Sequence, residues 1–319
     1  MSFTSDTKRE LMDIEHENDC CKVASLSALL AINGYLSLSS EGMRLVFQTS
    51  SLPLARKTIQ SLKGLYPVEV QVITKQGVRL KKQNQYLMVV KDKVTRIVRE
   101  LGLMDEESGY AKAIDDAVVM KECCQRAYLR GAFLASGSIN HPRSSSYHLE
   151  ISVEHESYAK DLRDLMNEFD FKAKTLRKKQ RAIVYIKDSE KIGDFLRFIG
   201  ASNALFSFED ERIKRDFINS ITRVMNMEIA NQNKTFAAAD RQLKEIAVIE
   251  NLLDVDTLPK SMREAMYLRK KFPEASLSEL SELSEEHLQR KISKSALNHR
   301  FRNVSQKAAE ALEAYYEEG

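Results

Sequence analysis

Near the start of the chain Leu11, Ile14, Val23, Leu26, Leu29 and Leu30 recur close to helical spacing, which predicts a helix over 4–34 closed by Gly34 as its C-terminal glycine. Short runs at 35–38 and 43–49 suit a hairpin. Helical spacing returns over 53–65, with proline at its start. Residues 68–74 and 85–91 read as strands, and 94–103 as a closing helix. The order is αββαββα. The same course follows again: a helix over about 113–135, strands near 138–140 and 148–154, a helix over 158–169, strands over 171–176 and 181–187, and a helix over 192–199 that continues through 206–219. From Asp216 to about Leu253 there is neither Pro nor Gly, and amides and alanines are frequent, the pattern of a long connecting helix. Pro259 then opens a region of short helices over 259–272, over 276–283 and from Ser293 onward.

The two αββαββα passes share residues as well as pattern. Cys20-Cys21-x-x-Ala24-x-Leu26, with Gly34 eight residues on, recurs as Cys123-Cys124-x-x-Ala127-x-Leu129 with Gly137 eight residues on. Beyond the glycines one inserted residue aligns Leu45 with Leu149 and Phe47 with Ile151. A repeat of this length is too long for a solenoid unit and reads as a duplicated subdomain with pseudo-twofold symmetry. The expected class is α+β: a tandem αββαββα pseudo-dimer over 1–220 (repeats about 1–104 and 105–220), a helical linker over 221–254 and an all-α helix-turn-helix domain over 255–319.

Composition narrows the chemistry only where residues cluster. The 319 residues are 43% hydrophobic with a net charge of +3. The first twenty residues are polar and acidic, and no apolar run approaches the roughly 20 residues of a membrane span. The expected setting is cytoplasmic, with reduced thiols and no membrane partner. All four cysteines fall in the two Cys-Cys pairs, which admit two readings. One is a metal site. The other is four small buried apolar residues on paired helices. Neighbours on a helix point about 100° apart and no C-x-x-C spacing is present, so no metal and no cofactor are expected.

Charge segregates at the C-terminal end. From His287 to Lys307 the sequence holds Arg290, Lys291, Lys294, Arg300, Arg302 and Lys307 with no Asp or Glu, between acidic flanks. Helix, short helix, tight link and basic helix is the order of a helix-turn-helix DNA reader. Ser276 suits the N-cap of the short helix and Ser293 that of the basic one, and both count among the expected DNA-binding residues, while Leu297, Phe301 and Val304 point inward. Lys294, Ser295 and Asn298 suit base edges or phosphates; His299, Arg300, Arg302 and Lys307 suit phosphates. The plainer alternative is a basic helix on a small bundle. Lys75, Arg79, Lys81, Lys82 and Lys174, Arg177, Lys178, Lys179 could add secondary DNA contacts, or be solvated hairpin charges. Glu150, Glu154, Glu156 and the acidic stretch 105–107 weigh against a strong clamp there.

A helix ending in glycine at a hairpin, twice, within αββαββα units resembles the LAGLIDADG homing endonuclease fold. That resemblance implies a metal-binding acid just before each glycine. Here those positions are Asn33 and Ser136, in Leu26–Gly34 and Leu129–Gly137, and neither supplies the charge a Mg²⁺ site wants. With the connector Arg223-Val224-x-Asn226-x5-Gln232, the stretch 237–242, and Ser293-Lys294-Ser295-x-x-Asn298-His299-Arg300, the whole chain resembles the WhiA family of sporulation and cell-division regulators. The resemblance implies a non-catalytic DNA-binding protein, nucleoid-associated, acting in transcription regulation, sporulation, or cell division and chromosome segregation. Its implied partners are double-stranded DNA and other regulatory or division proteins. The competing expectation, an active metal-dependent endonuclease, is disfavoured by Asn33 and Ser136.

Overall fold

In a computed structural model the chain divides into two compact units, Met1–Asp216 and Phe217–Gly319. The structure describes residues 2–16, 18–40, 42–75, 84–105, 109–110 and 112–317. The first half of the first unit carries α1 (Phe3–Met12), α2 (Asp19–Asn33), β1 (Gly34–Ser39), β2 (Gly42–Thr49), α3 (Leu52–Leu65), β3 (Val70–Lys75), β4 (Gln85–Val90) and α4 (Val94–Glu100). A short hairpin follows, β5 (Met104–Asp105) and β6 (Gly109–Tyr110). The second half carries α5 (Glu122–Ser136), β7 (Gly137–Ile139), β8 (Leu149–Val153), α6 (Glu156–Asn167), β9 (Lys174–Lys178), β10 (Arg181–Ile186) and α7 (Ser189–Ile199).

The duplication seen in the sequence is a duplication of topology. Both halves form antiparallel four-stranded sheets, in the orders β1-β2-β4-β3 and β7-β8-β10-β9. Their registers agree: Gly34 faces Phe47 as Gly137 faces Ile151, and Leu36 faces Leu45 as Ile139 faces Leu149. The inserted residue therefore sits in the β7–β8 link and leaves the pairing intact. Strand alternation sends Leu45, Phe47, Met88 and Val90 into the main core, while Val46, Leu87 and Val89 form a small separate cluster on the opposite face.

Helices α2 and α5 pack side by side through small residues. A Cβ on Gly131 would lie 2.4 Å from the Ser25 carbonyl oxygen and 3.1 Å from Ala28 Cβ, so the seam closes only because position 131 has no side chain. Gly34 serves close approach too, but not as a left-handed cap. Its φ of −107° and ψ of 166° make it the first residue of β1, and a Cβ there would meet the Tyr110 hydroxyl at 2.6 Å.

Tertiary contacts redraw three expected boundaries. The helix expected over 4–34 is two helices, because α1 is drawn to the second half. The Thr4 hydroxyl donates to the Ile139 carbonyl at 2.8 Å and accepts from the Ile139 amide at 3.0 Å. Glu10 accepts from the amides of Asn203 and Ala204, capping the start of α8 (Ser202–Leu252). The helix expected from about 113 begins at Glu122 instead. Val118 and Val119 are buried without helical structure, and the Ile114 amide donates to Asp161 on α6. The helical stretch expected over 206–219 and the connecting helix expected from Asp216 are one helix that starts at Ser202, with Ala204, Leu205 and Phe208 in the core.

The second unit holds the rest of α8, then α9 (Lys260–Lys271), α10 (Leu277–Leu288) and α11 (Lys294–Glu317). Both α10 and α11 outrun their expected lengths. On α11, Leu297, Phe301, Val304, Ala308 and Ala311 recur at alternating spacings of four and three and are buried. Leu297 and Phe301 pack with Ala265, Leu268, Leu280 and Ile292, and Val304 and Ala308 with Ile246, Ile249, Leu258, Met262 and Met266. Each large side chain so buried contributes roughly 1.5–3 kcal/mol. Arg269 is buried among them. Its Nε donates to Gln242 at 2.9 Å, its Nη1 to the carbonyls of Phe272, Pro273 and Ala275, and its guanidinium lies over the Phe301 ring.

Candidate nucleic-acid interface

The buried stripe of α11 dictates what its other face shows. With Leu297, Phe301 and Val304 inward, a rotation of 100° per residue brings Ser295, Asn298, His299, Arg302 and Gln306 onto one outward surface, all exposed. Lys294 and Lys291 are exposed at its N-terminal edge. The Ser293 hydroxyl accepts from the Ala296 amide at 3.2 Å and meets the Ser295 hydroxyl at 3.0 Å, so it caps α11 as expected. Among the described residues Lys291, Lys294, Asn298, His299 and Arg302 make no side-chain hydrogen bond or ion pair within the fold. They are available to a ligand. Gln306 was not foreseen; its signal is its position opposite the Leu297–Phe301–Val304 stripe.

Half of the segregated basic charge is already committed. Arg300 Nη1 donates to Glu264 Oε2 at 3.0 Å and to the Ser261 carbonyl at 3.3 Å, and Arg290 binds the same Glu264 oxygen. The Arg300 and Glu264 side chains are only 16% and 12% exposed. Burial pushes the Glu264 carboxyl up, but hydrogen bonds from the two arginines outweigh it and hold the group below its usual range. The sequence assigned Arg300 to phosphate; the structure turns it inward, as a tie between α11 and α9. Lys307 meets Glu310 at 3.0 Å.

The turn between α10 and α11 is held by two buried serines that the sequence reading passed over as part of an acidic flank. The Ser281 hydroxyl donates to the Ile292 carbonyl at 2.6 Å, and the Ile292 amide donates to the Ser284 hydroxyl at 2.7 Å. Ile292 is thereby pinned in the core, and Gln289 takes a left-handed φ of 52° to begin the turn. The serine-to-serine spacing of three on one helix face was the available signal. Ser276 caps α10 with Glu279 in a reciprocal pair of hydrogen bonds. It borders a groove of about 930 Å³ lined by Glu228, Glu274, Glu279, Glu282 and Glu286. Those carboxylates repel a phosphate, so Ser276 is a poor companion to the α11 surface.

In the first unit the two positions just before the repeated glycines have different fates. Asn33 Nδ2 donates across the seam to the Ala135 carbonyl at 3.0 Å. The Ser136 hydroxyl is buried with no partner among the described residues. An amide spent on a carbonyl and a lone hydroxyl do not fit a divalent cation, which takes charged oxygens. The secondary basic positions also divide. Lys75 extends β3, and Lys174 and Lys178 face the side of the second sheet away from the core, since they pair with Tyr185 and Arg181 rather than with buried Val184 and Ala182. Arg177 turns to the other side and pairs with Glu156 of α6 at 3.2 Å. Lys179 sits in the β9–β10 turn with a φ of 58°. Arg79, Lys81 and Lys82 lie outside the described residues.

The fold brings the two cysteine pairs together. Cys20 and Cys21 open α2, Cys123 and Cys124 open α5, and all four Sγ atoms lie within 4.8 Å of one another. None is in a disulfide. As thiols they are unlike: burial pushes Cys21 up to about 11 and Cys124 up to about 12, while the hydrogen bond with Cys124 holds Cys20 below the usual thiol value.

Three family models match successive parts of the chain. Residues 19–104 match the WhiA N-terminal LAGLIDADG-like domain, 125–218 the WhiA LAGLIDADG-like domain and 221–308 the WhiA C-terminal HTH domain. The chain is 43% identical over 314 residues to a probable cell division protein WhiA of Bacillus cytotoxicus, covering 98% of each, and 42% identical over the same span to one of Bacillus cereus. Its fold matches the crystal structure of full-length DUF199/WhiA from Thermatoga maritima with a TM-score of 0.59 at 23% identity, covering 97% of this chain and 99% of that one. On these matches and on its duplicated fold, the chain belongs to the WhiA family.

Proposed function

We propose that this chain is a non-catalytic double-stranded-DNA-binding protein that controls genes or chromosome organisation in cell division, reading DNA with α11. The observation that carries the proposal is the set Lys291, Lys294, Asn298, His299 and Arg302, exposed and without side-chain partners among the described residues, in the serine-fixed turn and the N-terminal half of the capped helix that follows it. The N-terminal end of α11 enters the major groove. Asn298 suits adenine, Lys294 suits guanine, and Arg302 and Lys291 neutralise phosphates. Lys75, Lys174 and Lys178 offer phosphates a weaker second contact. Relatives named as probable cell division proteins support a role in division. Other division or regulatory proteins act as its partners at the nucleoid. Among the described residues no helix is long and apolar enough to cross a membrane.

Catalysis drops out of the proposal because Asn33 is engaged with Ala135 and Ser136 carries no charge. Two measurements on the full chain test both parts. Duplex binding followed by fluorescence anisotropy weakens steeply as salt rises; binding indifferent to salt refutes the phosphate reading. Supercoiled and linear duplexes incubated with Mg²⁺ or Mn²⁺ stay intact, and site-specific cutting would overturn the non-catalytic assignment. Chromatin immunoprecipitation with sequencing then identifies the bound sites.

A further inference from the structure

We propose that Cys20, Cys21, Cys123 and Cys124 form a tetrathiolate site for one zinc ion, which clamps the N-terminal ends of α2 and α5 across the pseudo-twofold axis. The distances select a single ion. A tetrahedral zinc with sulfur ligands at about 2.3 Å places its sulfurs about 3.8 Å apart. Cys123 and Cys124 Sγ are already 4.0 Å apart, and no pair in the set exceeds 4.8 Å. Closing the widest separation needs a shift of about 0.5 Å from each sulfur, a small side-chain rotation. A polynuclear iron–sulfur cluster also takes four thiolates, but it inserts a core of several metals and sulfides between them and needs a wider opening.

The geometric objection to adjacent cysteines holds for one helix and fails for two. Each Cys-Cys pair supplies two ligands from one side of the axis, and the duplicated helix supplies the other two. Neither half could complete the site alone. The surroundings also suit thiolates. The first turns of both helices begin here, at Asp19 and Glu122, and neither helix has a side-chain N-cap, so their leading amides can donate to sulfur. Both positive helix ends and the nearby Lys121 offset the charge of −2 on a zinc tetrathiolate. Thiolate sulfur selects zinc over the hard cations. Cys21 and Cys124 are buried, Cys20 is half-buried and Cys123 is exposed, which gives the ion a path in and a chelator a path out. Binding displaces up to four protons as the thiols ionise. Along α2 the site is about 18 Å from Asn33, so it is a structural clamp and not a relic of the vacated acid positions.

The test uses the full chain, reduced and purified without a metal-affinity step. Elemental analysis is expected to find one zinc per chain after gel filtration. Co²⁺ loading is expected to give the visible bands of a tetrahedral ion and a sulfur-to-metal charge-transfer band. Ellman's reagent is expected to find the four thiols protected until zinc is chelated. Cys20→Ser and Cys123→Ser are expected to weaken zinc binding by more than the roughly 10–100-fold that loss of an outer-shell partner costs. Wild-type protein retaining no zinc after loading overturns the proposal. So does Ellman reactivity unchanged by zinc, or cross-helix disulfides in protein that binds no zinc once reduced. Should the serine variants fail to fold, the wild-type Co²⁺ spectrum and a zinc-dependent rise in Tm decide the matter.

Discussion

Arg300 and Arg302 lie two positions apart on α11, and the structure predicts opposite consequences for losing them. Of the six basic residues between His287 and Lys307, Arg290 and Arg300 are tied to Glu264 and Lys307 to Glu310; Lys291, Lys294 and Arg302 remain available. With Lys294 on a base, Lys291 and Arg302 each neutralise one phosphate, so α11 and the turn before it contribute about −1.8 to the slope of log K against log salt, at about −0.9 per phosphate. Arg302→Ala should lower that slope in magnitude by about 0.9 and weaken binding by about 1–3 kcal/mol, with stability unchanged. Arg300→Ala should leave the slope alone. Its loss strips Glu264 of one of two cationic partners at 12% exposure and frees the tie to α9, a cost of about 1–3 kcal/mol in stability. Fluorescence anisotropy across a salt series and urea unfolding of both variants separate the two effects. A flattened slope in Arg300→Ala with unchanged stability, beside normal binding by Arg302→Ala, would refute the orientation assigned to α11.

Three further outcomes follow from the first unit. Asn33→Asp replaces a donor to the Ala135 carbonyl with a carboxylate facing that oxygen, so it should cost about 1–3 kcal/mol in urea unfolding; a neutral or stabilising result would mean that the seam tolerates the acid. Gly131→Ala places a Cβ 2.4 Å from the Ser25 carbonyl oxygen and should cost about 1–3 kcal/mol by forcing α2 and α5 apart, whereas a cost below about 0.5 kcal/mol would show the seam to be loose. Burial, then the charges of Arg130, Lys57 and Lys22, lower His16 from 6.5 to about 4. The unfolded chain therefore takes the proton first, and stability present above pH 6.5 is lost as pH falls towards 4. Partial exposure limits the loss to about 1–2 kcal/mol, and His16→Gln should flatten that stretch of the stability–pH profile. An unchanged profile assigns the slope to other groups.

The duplicated fold was legible because the repeat carries its own control. Two stretches with the same helix–glycine–hairpin order and five shared residues must fold alike, and the inserted residue fell where the register could absorb it, between Gly137 and Leu149. What stayed hidden was set by contacts between the halves. Asn18 followed by Asp19 was the local signal of a new helix start, but the apolar spacing ran through it. The break exists because Thr4 reaches Ile139 and Glu10 reaches the start of α8, partners far along the chain. Likewise, Val118 and Val119 are apolar enough for the helix predicted over them, but they fill the core from an irregular segment. Periodicity records which residues are buried, and a buried residue need not be in the element that its spacing suggests.

The two candidate sites were legible to different depths for one physical reason. On α11 the apolar stripe fixes which residues face outward, so Ser295, Asn298, His299 and Arg302 could be read from spacing alone. Whether an outward cation is available could not, because its competitor lies elsewhere: Glu264 is on α9, and only folding brings it to Arg300 and Arg290. The cysteines differ in the opposite direction. Spacing arithmetic within one helix says nothing of a second helix, and the four sulfurs come from two helices whose first turns meet at the axis. For a duplicated chain the relevant spacing is between copies. Cys20 to Cys123 is a long interval in sequence and a short one in space, because the small residues at Ala28 and Gly131 let the seam close. The packing that brings Asn33 within reach of Ala135 at one end of the helices thus gathers the four sulfurs at the other. A substitution that opens the seam should disturb both ends together, so Gly131→Ala should loosen zinc as well as the fold.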